Sequence, residues 1–459
     1  MTRRYPAYRA SGVEWLGEVP EGWKVDRLKA SVAESKNGVW GADPDEDPEN
    51  AIPCIRVADF DRTALRVDIS DLTMRSIGIT ERHERLLVAG DLLLEKSGGG
   101  ENQLVGAVVL FEGPEPAVCS NFVAKVSLRH GMFPSFWCYV HSAIYELRLN
   151  FKSIKQTSGI QNLDASAYFD EPAAFPPLPE QRAIAGFLDR ETAKIDALVA
   201  EQRRLIDLLR EKRQAVISQA VTRGLNPKAP LKPSGTDWLG DVPEGWEVCE
   251  ARRFVSILSG FAFPSTSFSV DDNDTPLLRG ANVGVGELKW EETVYWKRAP
   301  DDGLGMFEVQ AGDLVIGMDR PWISAGVRVA IVEEHDVPCL LLQRVASLRT
   351  DEGLNKEYLR LQLAGEAFIH HFLPDMTGVS VPQISPGQIG GFVIVAPPRD
   401  EQDRIVTFLT NATAKFDTLT ATAQSAITLL QERRAALISA AVTGKIDVRG
   451  LVPELAGAA

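Results

Sequence analysis

Two stretches of the chain carry apolar residues at heptad spacing. Ile184, Leu188, Ile195, Leu198, Leu205, Leu209 and Val216 form the first series, and Ile405, Leu409, Phe416, Leu419, Ala426, Leu430 and Leu437 repeat it in the same register 221 positions later. The spacing predicts two long helices. One opens at Pro179-Glu180 and stops at Arg223-Gly224; the other opens at Pro398 to Glu401 and stops at Gly444. A helix of about 43 residues is about 65 Å long, too long to bury its seam in one small domain. Each therefore needs a long partner, and the other copy is the obvious one, packed as an antiparallel coil. Gln202, Lys212 and Arg433 interrupt the seams, either fixing register or sitting exposed where the helices splay. Elsewhere short β-type runs mix with helical patches. Val105 to Phe111 and Val327 to Val332 read as strands, and Phe136 to Leu149 and Asn355 to Phe372 as helices.

The duplication extends beyond the helices. Residues 12 to 23 read GVEWLGEVPEGW and residues 235 to 246 read GTDWLGDVPEGW, differing only at Val13/Thr236, Glu14/Asp237 and Glu18/Asp241. Glu180-Gln181, Ala193-Lys194, Asp196 and Leu198 recur as Glu401-Gln402, Ala414-Lys415, Asp417 and Leu419. Weaker matches stay in register between these anchors: IPCIRVADF (52 to 60) against TPLLRGANV (275 to 283), and AGDLLLEK (89 to 96) against AGDLVIGM (311 to 318). A constant frame thus carries two divergent modules. Packing preserves a frame, whereas surfaces that read different ligands must differ; a duplicated scaffold whose halves simply drifted would give the same pattern. The predicted fold class is α+β: two mixed modules separated by two long helices packed as an antiparallel coiled coil, with an internal pseudo-twofold repeat.

Length and composition agree with a folded protein of about three domain-sized units: 459 residues, 44% hydrophobic and 24% charged. No window approaches a membrane span and no apolar stretch follows the basic N-terminus, so a cytoplasmic location is expected. Cys54, Cys119, Cys138, Cys249 and Cys339 are odd in number and never form a CxxC pair, as reduced buried thiols would be. The net charge of -14 counts against a DNA binder. Its distribution changes that picture: acid is concentrated at Asp43 to Glu49, Asp271 to Asp274 and Glu333 to Asp336. Basic residues cluster at Lys152 and Lys155, Arg203 to Arg213, Arg252 and Arg253, Lys297 and Arg298, and Arg344 with Arg349.

Catalytic machinery is missing from the motifs. There is no GxxxxGK[ST], no GxGxxG opening a helix after a strand, no HExxH and no [DNS]PP[YFW]. The single nuclease-like hint is Asp91 followed by Glu95-Lys96, where carboxylates and a lysine could hold a metal. The second repeat keeps the Gly-Asp and loses the Glu-Lys pair, which favours a turn entering a strand.

The openings at Trp15 and Trp238, the Pro-Leu-Pro-Glu-Gln at 177 to 181 with its counterpart Pro-Pro-Arg-Asp-Glu-Gln at 397 to 402, and the duplicated helices resemble the specificity subunits of type I restriction-modification systems. The resemblance covers nearly the whole chain. It implies target-recognition domains at 1-178 and 224-397, spacer helices at 179-223 and 398-446, and a C-terminal tail at 447-459. It implies a non-catalytic subunit that reads a bipartite, asymmetric sequence in double-stranded DNA. Docking of two modification subunits, and through them of restriction subunits, is also implied. S-adenosylmethionine and ATP with Mg belong to those partners; no cofactor is expected in this chain and no membrane association. The acidic Asp43 to Glu49 run and the acid-rich second module depart from what DNA-facing surfaces usually carry.

Base edges are read by side-chain donors and acceptors in loops, with Arg suited to guanine and Asn or Gln to adenine. The candidate DNA-binding residues are Arg56, Ser97, Asn102, Gln103, Asn121, Lys155, Gln161 and Asn162 in the first module. In the second they are Arg279, Asn282, Arg320, Gln343, Arg344, Thr377 and Gln383. An exposed Asn or Gln also serves as a turn residue, and Arg56 and Arg279 could instead be salt-bridged within their modules. The rival class is an acidic anti-restriction protein that mimics DNA, which needs a continuous acidic stripe; a catalytic nuclease ranks third.

Overall fold

The computed structural model describes residues 4–451 apart from 46, 101–102, 158, 237–238 and 377–381. The chain is a mixed α/β protein that divides into two compact units. The first comprises Met1–Arg204 with Gln424–Ala459 and the second Leu205–Ala423. Both long helices are present, spanning Leu178–Arg223 and Arg399–Val442. Each helix contributes its N-terminal part to one unit and its C-terminal part to the other. No helix of the described residues is long and apolar enough to cross a membrane.

In the first unit, a six-stranded sheet runs in the order Val32–Asn37, Val123–Leu128, Leu92–Glu95, Val108–Leu110, Arg66–Val67 and Phe60–Asp61. Its strands are antiparallel except where Leu110 pairs with Arg66. The second unit carries a four-stranded antiparallel sheet ordered Val255–Ser259, Val345–Thr350, Leu314–Gly317 and Val329–Ile331. The VGAVVLF and VRVAIV runs contribute the strands Val108–Leu110 and Val329–Ile331 to these sheets. The turn before each central strand is closed by its aspartate: Val88 N donates to Asp91 Oδ2 (3.0 Å) and Gln310 N to Asp313 Oδ2 (3.0 Å). The Gly-Asp is therefore a turn that launches a strand.

Helix Pro134–Glu146 starts on a proline, whose missing N–H has no partner to lose at that position. Its counterpart is not the single helix that residues 355 to 372 predict. It is capped by Asn355, whose side chain accepts from Glu357 N and Tyr358 N, spans Lys356–Leu363, and restarts as Glu366–Phe372 after Gly365. Glycine costs a helix interior about 1 kcal/mol, and here the chain breaks at it.

The core of the first unit joins Leu92, Leu94 and Val126 of the sheet, Phe136, Trp137 and Val140 of the short helix, and Ile184 and Leu188 of the first long helix. Ile438, Val442 and Ile446 from the end of the chain complete it. The second core joins Leu314, Ile316, Tyr358 and Phe368 to Ile405 and Leu409, with Ile217 and Val221 from the end of the first long helix. Burial of such side chains is worth roughly 1.5–3 kcal/mol each.

The GW and EQ motifs meet here. Trp23 Nε1 donates to Glu180 Oε2 (3.0 Å), and Trp246 Nε1 donates to Glu401 Oε2 (3.2 Å). Buried Gln181 accepts from Phe133 N (2.9 Å) and donates to Pro176 O; Gln402 accepts from Asn355 N (2.7 Å) and donates to Pro397 O. Each Glu-Gln thus fastens the first turn of a long helix to its module. The opposite helix ends seat on the same tryptophans. A Cβ on Gly444 would lie 3.1 Å from Trp23, and one on Gly224 3.0 Å from Trp246. Trp238 lies outside the described residues.

Along the helices the heptad positions separate. Ile184, Leu188, Ile195 and Leu209 are buried, whereas Leu198 and Leu419 remain about half exposed. A straight helix drifts about 20° per heptad, so a strict seven-residue line cannot keep to one side of a core.

Candidate nucleic-acid interface

In the first unit, strands Ser97–Gly98, Ile160–Leu163 and Ile154–Thr157 form a small antiparallel sheet. Its register places Ser97 opposite Asn162 and Lys155 on the far side of Asn162. Ser97 Oγ donates to Asn162 Oδ1 (2.6 Å), and Ser97 N donates to the carbonyl of Phe122 (3.3 Å), which sets the exposed turn residues Asn121 and Phe122 beside it. Lys155 is exposed and pairs with Asp164 (2.8 Å), holding that carboxyl below its usual range. Ser97, Asn121, Lys155 and Asn162 are thus brought together.

The other candidates of this module sit differently. Gln161 is buried, donating to Gly100 O (3.0 Å) and accepting from Val105 N (3.2 Å), so it braces the glycine loop from beneath. Arg56 grips Asp59 through Nε and Nη2 (3.3 and 2.7 Å), and its backbone N donates to Asp59 Oδ2 (2.7 Å), closing a turn. Gln103 is exposed beside Arg62; in the amide orientation that satisfies both groups, its oxygen accepts from the guanidinium at 2.9–3.0 Å. Asn102 lies outside the described residues.

Arg62 in turn donates to buried Glu95 Oε2 (2.9 Å) and to Tyr145 Oη (3.1 Å), lining an open cleft of about 690 Å³. Burial pushes the Glu95 carboxyl up, with Arg62 opposing it. Among the described residues no group of three or more His, Cys, Asp or Glu side chains is placed to hold a metal ion.

In the second unit the corresponding place is built from the turn after Leu314–Gly317. Asp319 bridges to Gln383, Arg320 N donates to Pro382 O (2.8 Å), and Met318 N donates to Arg344 O (2.8 Å). Gln343 N donates to Phe261 O (2.8 Å), adding a part-exposed aromatic ring. These main-chain bonds bring the turns that carry Arg320, Gln343, Arg344 and Gln383 together, and each of the four residues is exposed. Arg344 pairs with Asp319 (3.0 Å). From behind, Arg328 donates Nη1 to the carbonyls of Asp319 (3.0 Å) and Arg320 (3.3 Å) and Nε to Val283 O (3.0 Å); burial holds its pKa below the ordinary arginine range.

Asn282 and Arg279 do not join that face through their side chains. Asn282 is buried, accepting from Arg279 N (3.0 Å) and donating to Lys289 O (2.8 Å). Arg279 Nη2 donates to Glu292 O. Thr377 lies outside the described residues. Sequence reasoning missed Phe122, Phe261, Asp319 and Arg328. Asp319 stands next to Arg320 in a repeat-aligned stretch, which was a usable signal; the exposed rings had none.

The structure is thus that of a mixed α/β protein with two long helices and, in each unit, polar residues beside a central strand. No family model matches the chain. It is 24% identical over 444 residues to the type I restriction enzyme MjaVIII specificity subunit of Methanocaldococcus jannaschii, covering 94% of this chain and 95% of that protein. It is 34% identical over 196 residues to the EcoAI specificity subunit of Escherichia coli, a match spanning 41% of this chain and 32% of the relative.

Among solved structures, the fold matches a chain from a study of assembly and conformational transition of the type I R-M system (TM-score 0.64, 19% identity, 95% and 99% coverage). It also matches the HsdS subunit of Thermoanaerobacter tengcongensis (TM-score 0.51, 18% identity, 93% and 98% coverage). The family to which the chain is similar, along nearly its full length, is that of the type I restriction-modification specificity subunits.

Proposed function

We propose that this chain is the DNA-recognition subunit of a type I restriction-modification complex, with one half of a split target read by each module. The observation that carries the reading is positional. Ser97 pairs with Asn162 and Asp319 with Gln383, at the same places of the repeat frame but with different side chains. Two readers of different half-sites need a common mount and unlike faces. The recognition modules are assigned to 1-178 and 224-397, and the polar faces around Ser97 and Arg320 to the major groove. Exposed Lys155, Arg320 and Arg344 weigh against the acidic-mimic reading.

The long helices serve as an antiparallel coiled-coil spacer within a pseudo-twofold repeat. Support comes from two ion pairs, Arg434–Asp196 (3.0 Å) in the first unit and Arg213–Asp417 (3.6 Å) in the second. The partners are related residue for residue by the 221-position offset, as a twofold exchange requires. Docking of two modification subunits is supported by exposed leucines that repeat in the same way: Leu198 with Leu429 in the first unit, Leu419 with Leu208 in the second. Methylation and cleavage, with S-adenosylmethionine, ATP and Mg, reside in the partner subunits, and this chain acts without a cofactor in the cytoplasm.

The test is an exchange of residues 25 to 175 for the matching module of a relative, read by sequencing methylated adenines in cells. One half-site should change and the other stay. A change in both halves, or no dependence of methylation on this chain, would overturn the proposal.

A further inference from the structure

The turn at Asp319 and the turn at Arg344 hold a donor and an acceptor side by side. Arg344 Nη1 lies 3.0 Å from Asp319 Oδ1, with both side chains partly open to solvent. The backbone fixes both residues. Met318 N donates to Arg344 O, and Arg328 Nη1 donates to the Asp319 carbonyl from behind. Arg344 has a φ of +71° and neighbouring Arg320 one of +46°, the left-handed region that L-residues other than Gly, Asn and Asp rarely enter. Such conformations persist where surrounding structure imposes them, and they gather at binding sites.

A guanidinium beside a carboxylate is the complement of one base pair. In the major groove guanine offers two adjacent acceptors, N7 and O6, and its paired cytosine offers the N4 donor next to them. Adenine interposes a donor after N7, and its thymine ends in a methyl group. We propose that Arg344 and Asp319 together read a single G·C pair, the arginine on guanine and the aspartate on cytosine; this rests on the DNA-reading role proposed above. In the first module the same frame positions hold Phe122 and Ser97, an apolar ring and a hydroxyl, so the two modules read different bases at equivalent places. The ion pair also screens Arg344 from phosphates until a matching base pair supplies both partners.

The test is selection of a random-core duplex DNA pool by the purified full-length chain. The wild type should enrich a bipartite sequence with one G·C pair in the second half preferred roughly ten- to hundredfold. Arg344→Gln should abolish the preference at that position alone. The double exchange Asp319→Arg with Arg344→Asp keeps an ion pair and places aspartate where the φ is positive, which aspartate tolerates; it should turn the preference to C·G. If the wild type enriches no bipartite sequence, the DNA-reading role fails and this assignment with it. If both variants enrich the wild-type sequence unchanged, the pair is structural only and the assignment is overturned while the reading role stands.

Discussion

Replacing Gly444 with alanine tests how tightly the end of the second long helix seats on the first unit. The glycine has a φ of +75°, which costs a residue with a Cβ about 1–2 kcal/mol. The new Cβ would also stand 2.4 Å from Pro20 Cδ and 2.6 Å from its Cγ. A proline ring is anchored to the backbone at both ends and cannot rotate aside, so overpacking adds about 1–3 kcal/mol. Gly444→Ala should therefore destabilise the first unit by about 3 kcal/mol. Gly224→Ala meets the same φ penalty at +72°, but only the Trp246 and Glu401 side chains, at 3.0 and 3.3 Å, and should cost about 1–2 kcal/mol. Hydrogen exchange read by mass spectrometry gives the comparison, since 1.4 kcal/mol is a tenfold change in opening. Gly444→Ala should speed exchange about a hundredfold in peptides around residues 8–23 and 430–448. Equal effects at the two glycines, or a smaller one at Gly444, would refute the close approach to Pro20.

His141 is fully buried against Tyr168 and its pKa is lowered to about 4 by that burial. The unfolded chain takes up the proton first, near pH 6.5, so stability present above that pH should fall by up to about 3 kcal/mol as pH drops from 6.5 toward 4; urea unfolding of His141→Phe should lose this slope. Leu198→Asp with Leu419→Asp should leave folding intact, because both leucines are half exposed, yet abolish capture of the modification subunit in a pull-down. The purified chain alone should neither methylate nor cut DNA and should bind no S-adenosylmethionine by calorimetry. If the long helices act as the proposed spacer, one heptad added to each lengthens it by about 10 Å, and methylation mapping should find the half-sites up to about three base pairs further apart with their sequences unchanged.

The long helices are legible because heptad periodicity persists over six turns and more, a signal that short elements lack. Which heptad positions stay exposed is not, since Leu198 and Leu419 depend on the drift of a straight helix past its core. The predicted 355 to 372 helix misses its break because one glycine in a periodic run is usually tolerated. At the candidate interface, Arg320, Gln343, Arg344 and Gln383 are readable by residue type. Arg56 and Arg279 instead belong to turns, in which the backbone N–H of each donates to the Asp or Asn three residues on. That spacing is visible in the sequence once the turn is known. The nearness of Asp319 to Arg344, 25 positions apart, follows only from the pairing of Leu314–Gly317 with Val345–Thr350.

The core of the first unit takes Ile438, Val442, Ile446 and Val448 from the far end of the chain, and Tyr8 Oη donates to Gly444 O (3.0 Å). Synthesis on the ribosome therefore inverts the usual order of maturation. After Arg204 emerges, about 220 further residues precede Gln424, the first residue of the missing piece. At 5–20 residues per second that interval lasts about 10–40 s. The second unit, continuous from Leu205 to Ala423, is finished while the first still exposes the groove that the last helix will fill. During that interval a nascent first unit is open to any apolar helix that fits, including the equivalent end of the first long helix in a neighbouring nascent chain.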